Sequence, residues 1–200
     1  MSLFGFERNL RTAVRDHQAD VCNRRRQLLT AGAGLIGAAV LSPAALAANT
    51  VNRDRMLTFY NPHTGETSRL IYWTPIEGHI DQSITEFSWL MRDHRRDEMI
   101  KIDVGLLDQL YWLQQQLDYR QPIHTISGYR SPKTNAELRA HNKRVAKNSF
   151  HMKGMAVDIR MPGREVNQLH KAALSLKAGG VGYYPRSNFV HIDTGSIRNW

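Results

Sequence analysis

His151 and Asp158 stand seven positions apart in S-F-H-M-K-G-M-A-V-D (149–158), with Gly154 between them. A second histidine, His191, lies in N-F-V-H-I-D (188–193). Strand alternation there puts Phe189, His191 and Asp193 on one face and Val190 and Ile192 on the other. Two imidazoles and one carboxylate are a common donor set for catalytic zinc, with the fourth position left to water. Zinc lowers the pKa of such a water toward ~7 and polarises a carbonyl, so a peptide bond can be hydrolysed without a serine or cysteine nucleophile. Taken alone each piece is weak, because a single histidine on a strand is usually structural. Asp158 says more: a carboxylate on the apolar strand M-A-V-D-I-R needs a partner or a metal.

These residues need elements to hold them. M-L-T-F-Y (56–60) and T-S-R-L-I-Y-W (67–73) flank the turn formers N-P-H-T-G-E and read as a β-hairpin. Asp81 is placed to cap a helix running to about Arg95, with Ile84, Phe87, Leu90 and Met91 on one face. Asp103 is placed to cap another to about Leu117, whose Leu106, Leu107, Leu110, Leu113 and Leu117 make a core stripe. P-I-H-T-I-S-G (122–128) reads as a strand entering a turn, and residues 133–141 as a helix. A strand follows the Gly154 turn, then an amphipathic helix over 164–177 ended by Gly179-Gly180, then two strands, V-G-Y-Y and N-F-V-H-I-D. Strands and helices mix without regular alternation, which makes the class α+β. No repeat or low-complexity tract interrupts the chain.

The length of 200 residues suits one domain. The net charge of +9 suits an anionic partner. The lone cysteine, Cys22, allows neither an internal disulfide nor a Cys-type zinc site, so a metal here must take His, Asp or Glu. R-R-R-Q-L-L (24–29), a Gly/Ala-rich apolar stretch and Ala45-Leu46-Ala47 have the layout of a secretory signal. Arg25 and Arg26 give it a twin-arginine character, with cleavage expected after Ala47. An uncleaved anchor is the alternative, and either one places the domain beyond the cytoplasmic membrane. Residues 1–47 are therefore read as leader and 48–200 as the working domain. The leader carries six Arg and three acidic residues, which leaves the domain at +6. The cell wall suits such a domain better than nucleic acid, for which no binding motif is present. A membrane enters only through the export signal, if that is not cleaved.

S-F-H-M-K-G-M-A-V-D matches the S-x-H-x-x-G-x-A-x-D signature of the zinc D-Ala-D-Ala metallopeptidases and their relatives with the Hedgehog-like (LAS) fold. I-S-G-Y-R-S (126–131) and G-V-G-Y-Y-P-R-S-N-F-V-H-I-D-T-G (180–195) extend the match in the same order. The chain resembles this group over essentially all its length, and within it the murein endopeptidases. The resemblance implies a small antiparallel sheet with packed helices. It implies zinc held by His151, Asp158 and His191, and Arg130 binding a carboxylate or carbonyl of a peptidoglycan peptide stem. The activity implied is hydrolysis of peptide cross-links in the periplasm. The same ligands would serve a zinc carboxypeptidase or dipeptidase that trims stem peptides.

One departure concerns the general base. Relatives often carry E-x-x-H before the last ligand, whereas here Asn188 and Phe189 stand three and two residues before His191. That gap is what a non-catalytic peptidoglycan-binding domain would rest on. Asp193 is the best remaining carboxylate. Two roles stand level for it: activating the zinc water, or orienting His191. His124 is a third candidate, with core packing the commoner role. Ser127 and Tyr129 are expected to shape the Arg130 loop, with packing an equal alternative for Tyr129, and Trp200 to pack near the site entrance. His63, His79, His94, His141 and His170 are expected to be solvated. The basic loop K-R-V-A-K (143–147) is expected to attract the acidic stem.

Overall fold

The computed structural model describes residues 53–200. The leader over 1–47 and its boundary with the domain lie outside the described residues.

The predicted hairpin forms from β1 (Arg55–Tyr60) and β2 (Thr67–Thr74). Leu57 and Phe59 of β1 alternate inward, as do Leu70 and Tyr72 of β2. The turn closes through Gly65, whose φ of 73° is the left-handed conformation that glycine adopts without steric cost. The other strands are β3 (Gly78–His79), β4 (Ile123–Ser127), β5 (Ala156–Arg160), β6 (Gly180–Tyr184), β7 (Phe189–Asp193) and β8 (Arg198–Asn199). They make one eight-stranded sheet in the order β3-β2-β1-β4-β5-β7-β6-β8. This sheet is larger than the small antiparallel one expected, and its β1–β4 and β6–β8 pairs are parallel. Both end strands are two-residue segments, too short to show a period-2 pattern in sequence.

Four α-helices accompany the sheet among the described residues: α1 (Asp81–Leu90), α2 (Val104–Gln116), α3 (Pro132–His141) and α4 (Val166–Ser175). The α+β class holds. In α2 the Asp103 carboxylate caps the helix by accepting the Gly105 N–H at 2.7 Å, and Leu106, Leu107, Leu110 and Leu113 are fully buried. In α3 Ser131 is the cap and Pro132 takes the first helical position, where its missing N–H costs nothing. Phe87 of α1 meets Phe59 of β1 edge to face, ring centres 4.8 Å apart.

Three expectations are corrected. Asp81 does not cap α1, whose N-cap is Ile80; its carboxylate pairs with Lys101 instead. The helix stops at Leu90 rather than near Arg95, because its end is tied elsewhere. The Asn61 amide donates to the Leu90 carbonyl, and the Tyr129 N–H to the Met91 carbonyl. Gly179-Gly180 does not end α4 either: the left-handed residue after that helix is Lys177, φ 49°. The two glycines instead let β6 approach Asp193, since a Cβ on Gly179 would collide with the Asp193 carbonyl oxygen.

Candidate metal centre

The register of the central strands brings the polar residues into one row. Ser127 of β4 is the cross-strand partner of Asp158 in β5, Asp158 of His191 in β7, and His191 of Gly182 in β6. Directly opposed residues share a face. The apolar Val157, Ile159, Val190 and Ile192 alternate onto the other face and are buried. His151 reaches the row from a short 3-10 turn, Phe150–Lys153. Ser149 caps this turn, and Gly154 ends it at φ 68°. A side chain on Gly154 would also press on the Lys101 carbonyl, so a glycine is required there twice over.

His151 Nε2, Asp158 Oδ1 and His191 Nδ1 converge. The separations are 3.3 Å for His151 Nε2–Asp158 Oδ1, 2.9 Å for His191 Nδ1–Asp158 Oδ1 and 3.2 Å between the two ring nitrogens. Tetrahedral zinc with bonds of about 2.0–2.1 Å would hold its donors about 3.3 Å apart. The outer nitrogens decide which atoms carry lone pairs. His151 Nδ1 lies 2.7 Å from the Gly128 carbonyl, which only accepts, so Nδ1 carries the proton. His191 Nε2 lies 3.0 Å from Asp193 Oδ2 and donates to it. Neutral rings therefore aim two lone pairs, and Asp158 a third acceptor, at one point. Such a cluster calls for a cation.

The electrostatics agree. Burial depresses the His151 imidazole below its ordinary pKa, against the pull of Asp158, which favours the neutral ligand form. Burial also lowers His191, but its bonds to Asp158 and Asp193 more than reverse this and raise it, so a positive charge is favoured there, and a proton and a metal ion compete for the same Nδ1 lone pair. Burial alone would raise Asp158; His151, His191 and Arg130 outweigh it and hold the carboxyl well below the usual range.

Arg130 is tied in more closely than a free substrate anchor. Its Nη2 donates a short charge-assisted bond to Asp158 Oδ2, and its Nε donates to Ser127 Oγ at 2.8 Å. Its backbone N–H reaches the His151 carbonyl at 3.2 Å. The guanidinium thus holds the Asp158 carboxylate by the oxygen that faces away from the convergence point, and Ser127 holds the guanidinium. The loop is anchored by Asp93, which is buried and accepts from the Ser131 N–H at 3.0 Å and the Ser131 hydroxyl at 2.8 Å. Gly128 packs so tightly on Met91 that a Cβ would overlap the Met91 carbonyl. Tyr129 is half-buried, and its backbone N–H secures the same contact.

Asp193 is fully buried and faces the outer nitrogen of His191, not the convergence point. His191, Arg198 and the Gly195 N–H outweigh the effect of burial and hold its carboxyl well below the usual range. Trp200 lies beside the site, as expected, its ring centre 5.3 Å from that of His191 and its Nε1 donating to the Tyr184 hydroxyl at 2.9 Å. Gly182 makes room for it, since a Cβ would come within 2.8 Å of the indole. His124 stays away from the cluster and packs edge-on against Tyr60 at 4.8 Å. Several histidines expected to be solvated have ring partners. His63 stacks on His94 at 4.3 Å and His170 on Tyr183 at 4.7 Å, while His79 sits 3.8 Å from Asp108.

The sequence reading missed Arg198, Gly128, Gly182 and Asp93. An arginine five residues after Asp193 and a glycine directly before Tyr129-Arg130 were the available signals.

Lone pairs aimed at one point, with no thiol or hydroxyl nucleophile among them, are the equipment of a metallopeptidase, and this chain is one. A family profile described as "Peptidoglycan L,D-endopeptidase MepK" matches residues 49–200, and the chain belongs to that family. It is 48% identical over 176 residues to "Peptidoglycan L,D-endopeptidase MepK" of Escherichia coli (strain K12), covering 88% of this chain and 96% of that protein. The protein of the same name from Shigella flexneri gives the same figures. "Probable peptidoglycan L,D-endopeptidase MepK" of Haemophilus influenzae is 40% identical over 182 residues, covering 90% of this chain and 97% of that protein. No solved structure matches the chain.

Proposed function

We propose that the chain is an exported zinc peptidase that opens L,D cross-links of peptidoglycan. The observation that carries this reading is the convergence of His151 Nε2, Asp158 Oδ1 and His191 Nδ1 within a member of this endopeptidase family. The bond type comes from the relatives: an identity of 48% across nearly the whole of the Escherichia coli endopeptidase supports the same L,D specificity here. Two imidazoles and a carboxylate at tetrahedral spacing suit zinc. When bound, zinc supplies an acidified water and a polarised carbonyl.

The chain's own residues do the rest. Gly128 and Asp193 fix the protons on the outer nitrogens of His151 and His191, which keeps the inner lone pairs available. Of the two roles open to Asp193, the geometry favours orienting over proton abstraction, because both its oxygens are engaged by N–H donors. Arg130 uses Nε and Nη2 within the site. Its Nη1 has no hydrogen-bond partner among the described residues and is left for a carbonyl or carboxylate of the stem peptide. Trp200, half exposed beside His191, forms an aromatic wall for that peptide. Lys143, Arg144 and Lys147 are exposed on the loop before the metal motif and draw in the acidic stem.

Residues 1–47 act in this reading as a twin-arginine leader that delivers the domain to the periplasm, where the polymer is. The Hedgehog-like fold belongs to the same reading, supported by a sheet whose central strands carry two of the three donors.

The test is incubation of purified cross-linked muropeptides with the metal-loaded protein. Release of monomers, stopped by chelation and restored by zinc but not magnesium, is the expected outcome. Digestion that continues unchanged after thorough chelation would overturn the reading. Release of free D-Ala alone would assign trimming instead.

A further inference from the structure

Asp193 does not act alone. Its Oδ1 receives the Gly195 N–H at 2.8 Å, the Gly180 N–H at 3.2 Å and Arg198 Nη1 at 3.1 Å. Its Oδ2 receives His191 Nε2 at 3.0 Å and Arg198 Nη2 at 2.6 Å. Among the described residues, Arg198 is therefore the one guanidinium on a fully buried carboxylate. A buried carboxylate stripped of the guanidinium that holds both its oxygens swings away or draws in water. When it swings away, His191 loses the acceptor that fixes its tautomer and ring plane.

The guanidinium also touches the other histidine-bearing element. It lies over the Phe150 ring at 5.2 Å, and Phe150 immediately precedes His151. Its remaining aromatic neighbour is Trp200, at 5.1 Å. The strand that delivers it, β8, is only two residues long and is tied in parallel to β6, where Gly180 pairs with Arg198. Gly180 has no side chain because there is no space for one: a Cβ would sit 2.5 Å from both Arg198 Nη1 and Asp193 Oδ2. The site is thus held from two sides by arginines. Arg130 grips Asp158 and the His151 backbone, and Arg198 grips His191 through Asp193 and leans on the His151 turn.

We propose that Arg198 is a positioning residue of the metal centre, acting through Asp193 to fix His191 Nδ1 as a metal donor. The inference rests on the metal-site reading but not on the peptidoglycan substrate. Outer hydrogen-bond partners of metal-bound histidines are worth 10–100-fold in affinity. The affinity of the full exported domain for zinc, read by competition with a chromophoric chelator, is the primary measurement. It needs no substrate, so a failure of the peptidoglycan assignment would leave it intact.

Arg198→Ala is expected to weaken zinc binding roughly 10-fold or more. Arg198→Lys, which keeps the charge and loses the fork, is expected to recover part of that loss. Asp193→Ala and the double variant Arg198→Ala/Asp193→Ala should bind zinc equally weakly, because the arginine acts through the carboxylate. The visible spectrum of the cobalt-loaded protein should shift in Arg198→Ala and return toward the parent in Arg198→Lys. If Arg198→Ala does not fold, Arg198→Lys and Arg198→Gln carry the same comparison. Parent-like zinc affinity in a folded Arg198→Ala or Arg198→Gln, or fully additive losses in the double variant, would overturn the proposal.

Discussion

His191 Nδ1 lies 2.9 Å from Oδ1 of Asp158, its directly opposed partner on the neighbouring strand. A sheet register therefore sets this pair of converging atoms, and a short 3-10 turn sets only the third, from His151. A site built on paired strands is held by the ladder itself, so its geometry depends on residues that never touch the ligand.

Removing any one donor should end both binding and turnover. His151→Ala, Asp158→Ala and His191→Ala are expected to lose stoichiometric zinc, with affinity falling by more than about 100-fold, since an outer partner alone is worth 10–100-fold. Metal analysis after dialysis checks this, alongside far-UV circular dichroism to show that the sheet persists.

Asp193→Asn separates the two roles first open to that residue. An orienting carboxylate predicts weaker zinc binding and activity that recovers substantially in excess zinc. A general base predicts parent-like zinc affinity with kcat down by about 10²–10⁴. The first result is expected, because Arg198 and two backbone N–H groups already occupy the Asp193 oxygens.

The three converging residues were legible in the sequence because each sits in a short motif whose local structure is nearly self-determined. S-F-H-M-K-G turns at a left-handed glycine, and F-V-H-I-D alternates. What stayed hidden depended on contacts between distant segments. Alternation put Asp193 on the His191 side of β7 but could not tell which nitrogen it meets. Helical periodicity ran α1 on toward Arg95 because it cannot register Asn61 reaching Leu90 from 29 positions away. Arg198 is delivered by a two-residue strand, which has no pattern of its own.

The Arg130 loop depends on Asp93, and its stability should depend on pH accordingly. Burial pushes the Asp93 carboxyl up, but the donors of Ser131 and the Arg95 N–H more than offset this and hold it below its ordinary value. A carboxyl depressed on folding contributes stability above the ordinary carboxylate range, about pH 4, and loses it as pH falls through the folded value. Asp93→Ala should cost about 2 kcal/mol at pH 7. Denaturant unfolding at pH 7 and pH 3 should show the gap between parent and variant narrowing at the lower pH. A gap that widens in acid would contradict the assignment.

Gly182→Ala tests the aromatic wall without touching a donor. The new methyl meets the Trp200 and Tyr184 rings at 2.8 Å and pushes the indole off His191. Losing about 1.4 kcal/mol of stacking would raise KM roughly tenfold with kcat and zinc content little changed. Unaltered KM would remove Trp200 from the substrate path. Gly128→Ala should behave differently, because its methyl collides with the Met91 backbone while its own carbonyl holds His151. Stability and zinc binding are both expected to fall in that variant.

The central claim is that this metal centre cuts one kind of bond, and mass spectrometry of two defined muropeptide dimers tests it most directly. One dimer is joined by an L,D cross-link and the other by a D,D cross-link, each incubated with stoichiometrically zinc-loaded protein. Conversion of the L,D dimer to monomers, with the D,D dimer intact and a chelated control inert, is the expected result. An intact L,D dimer in the presence of the zinc-loaded protein would contradict the account.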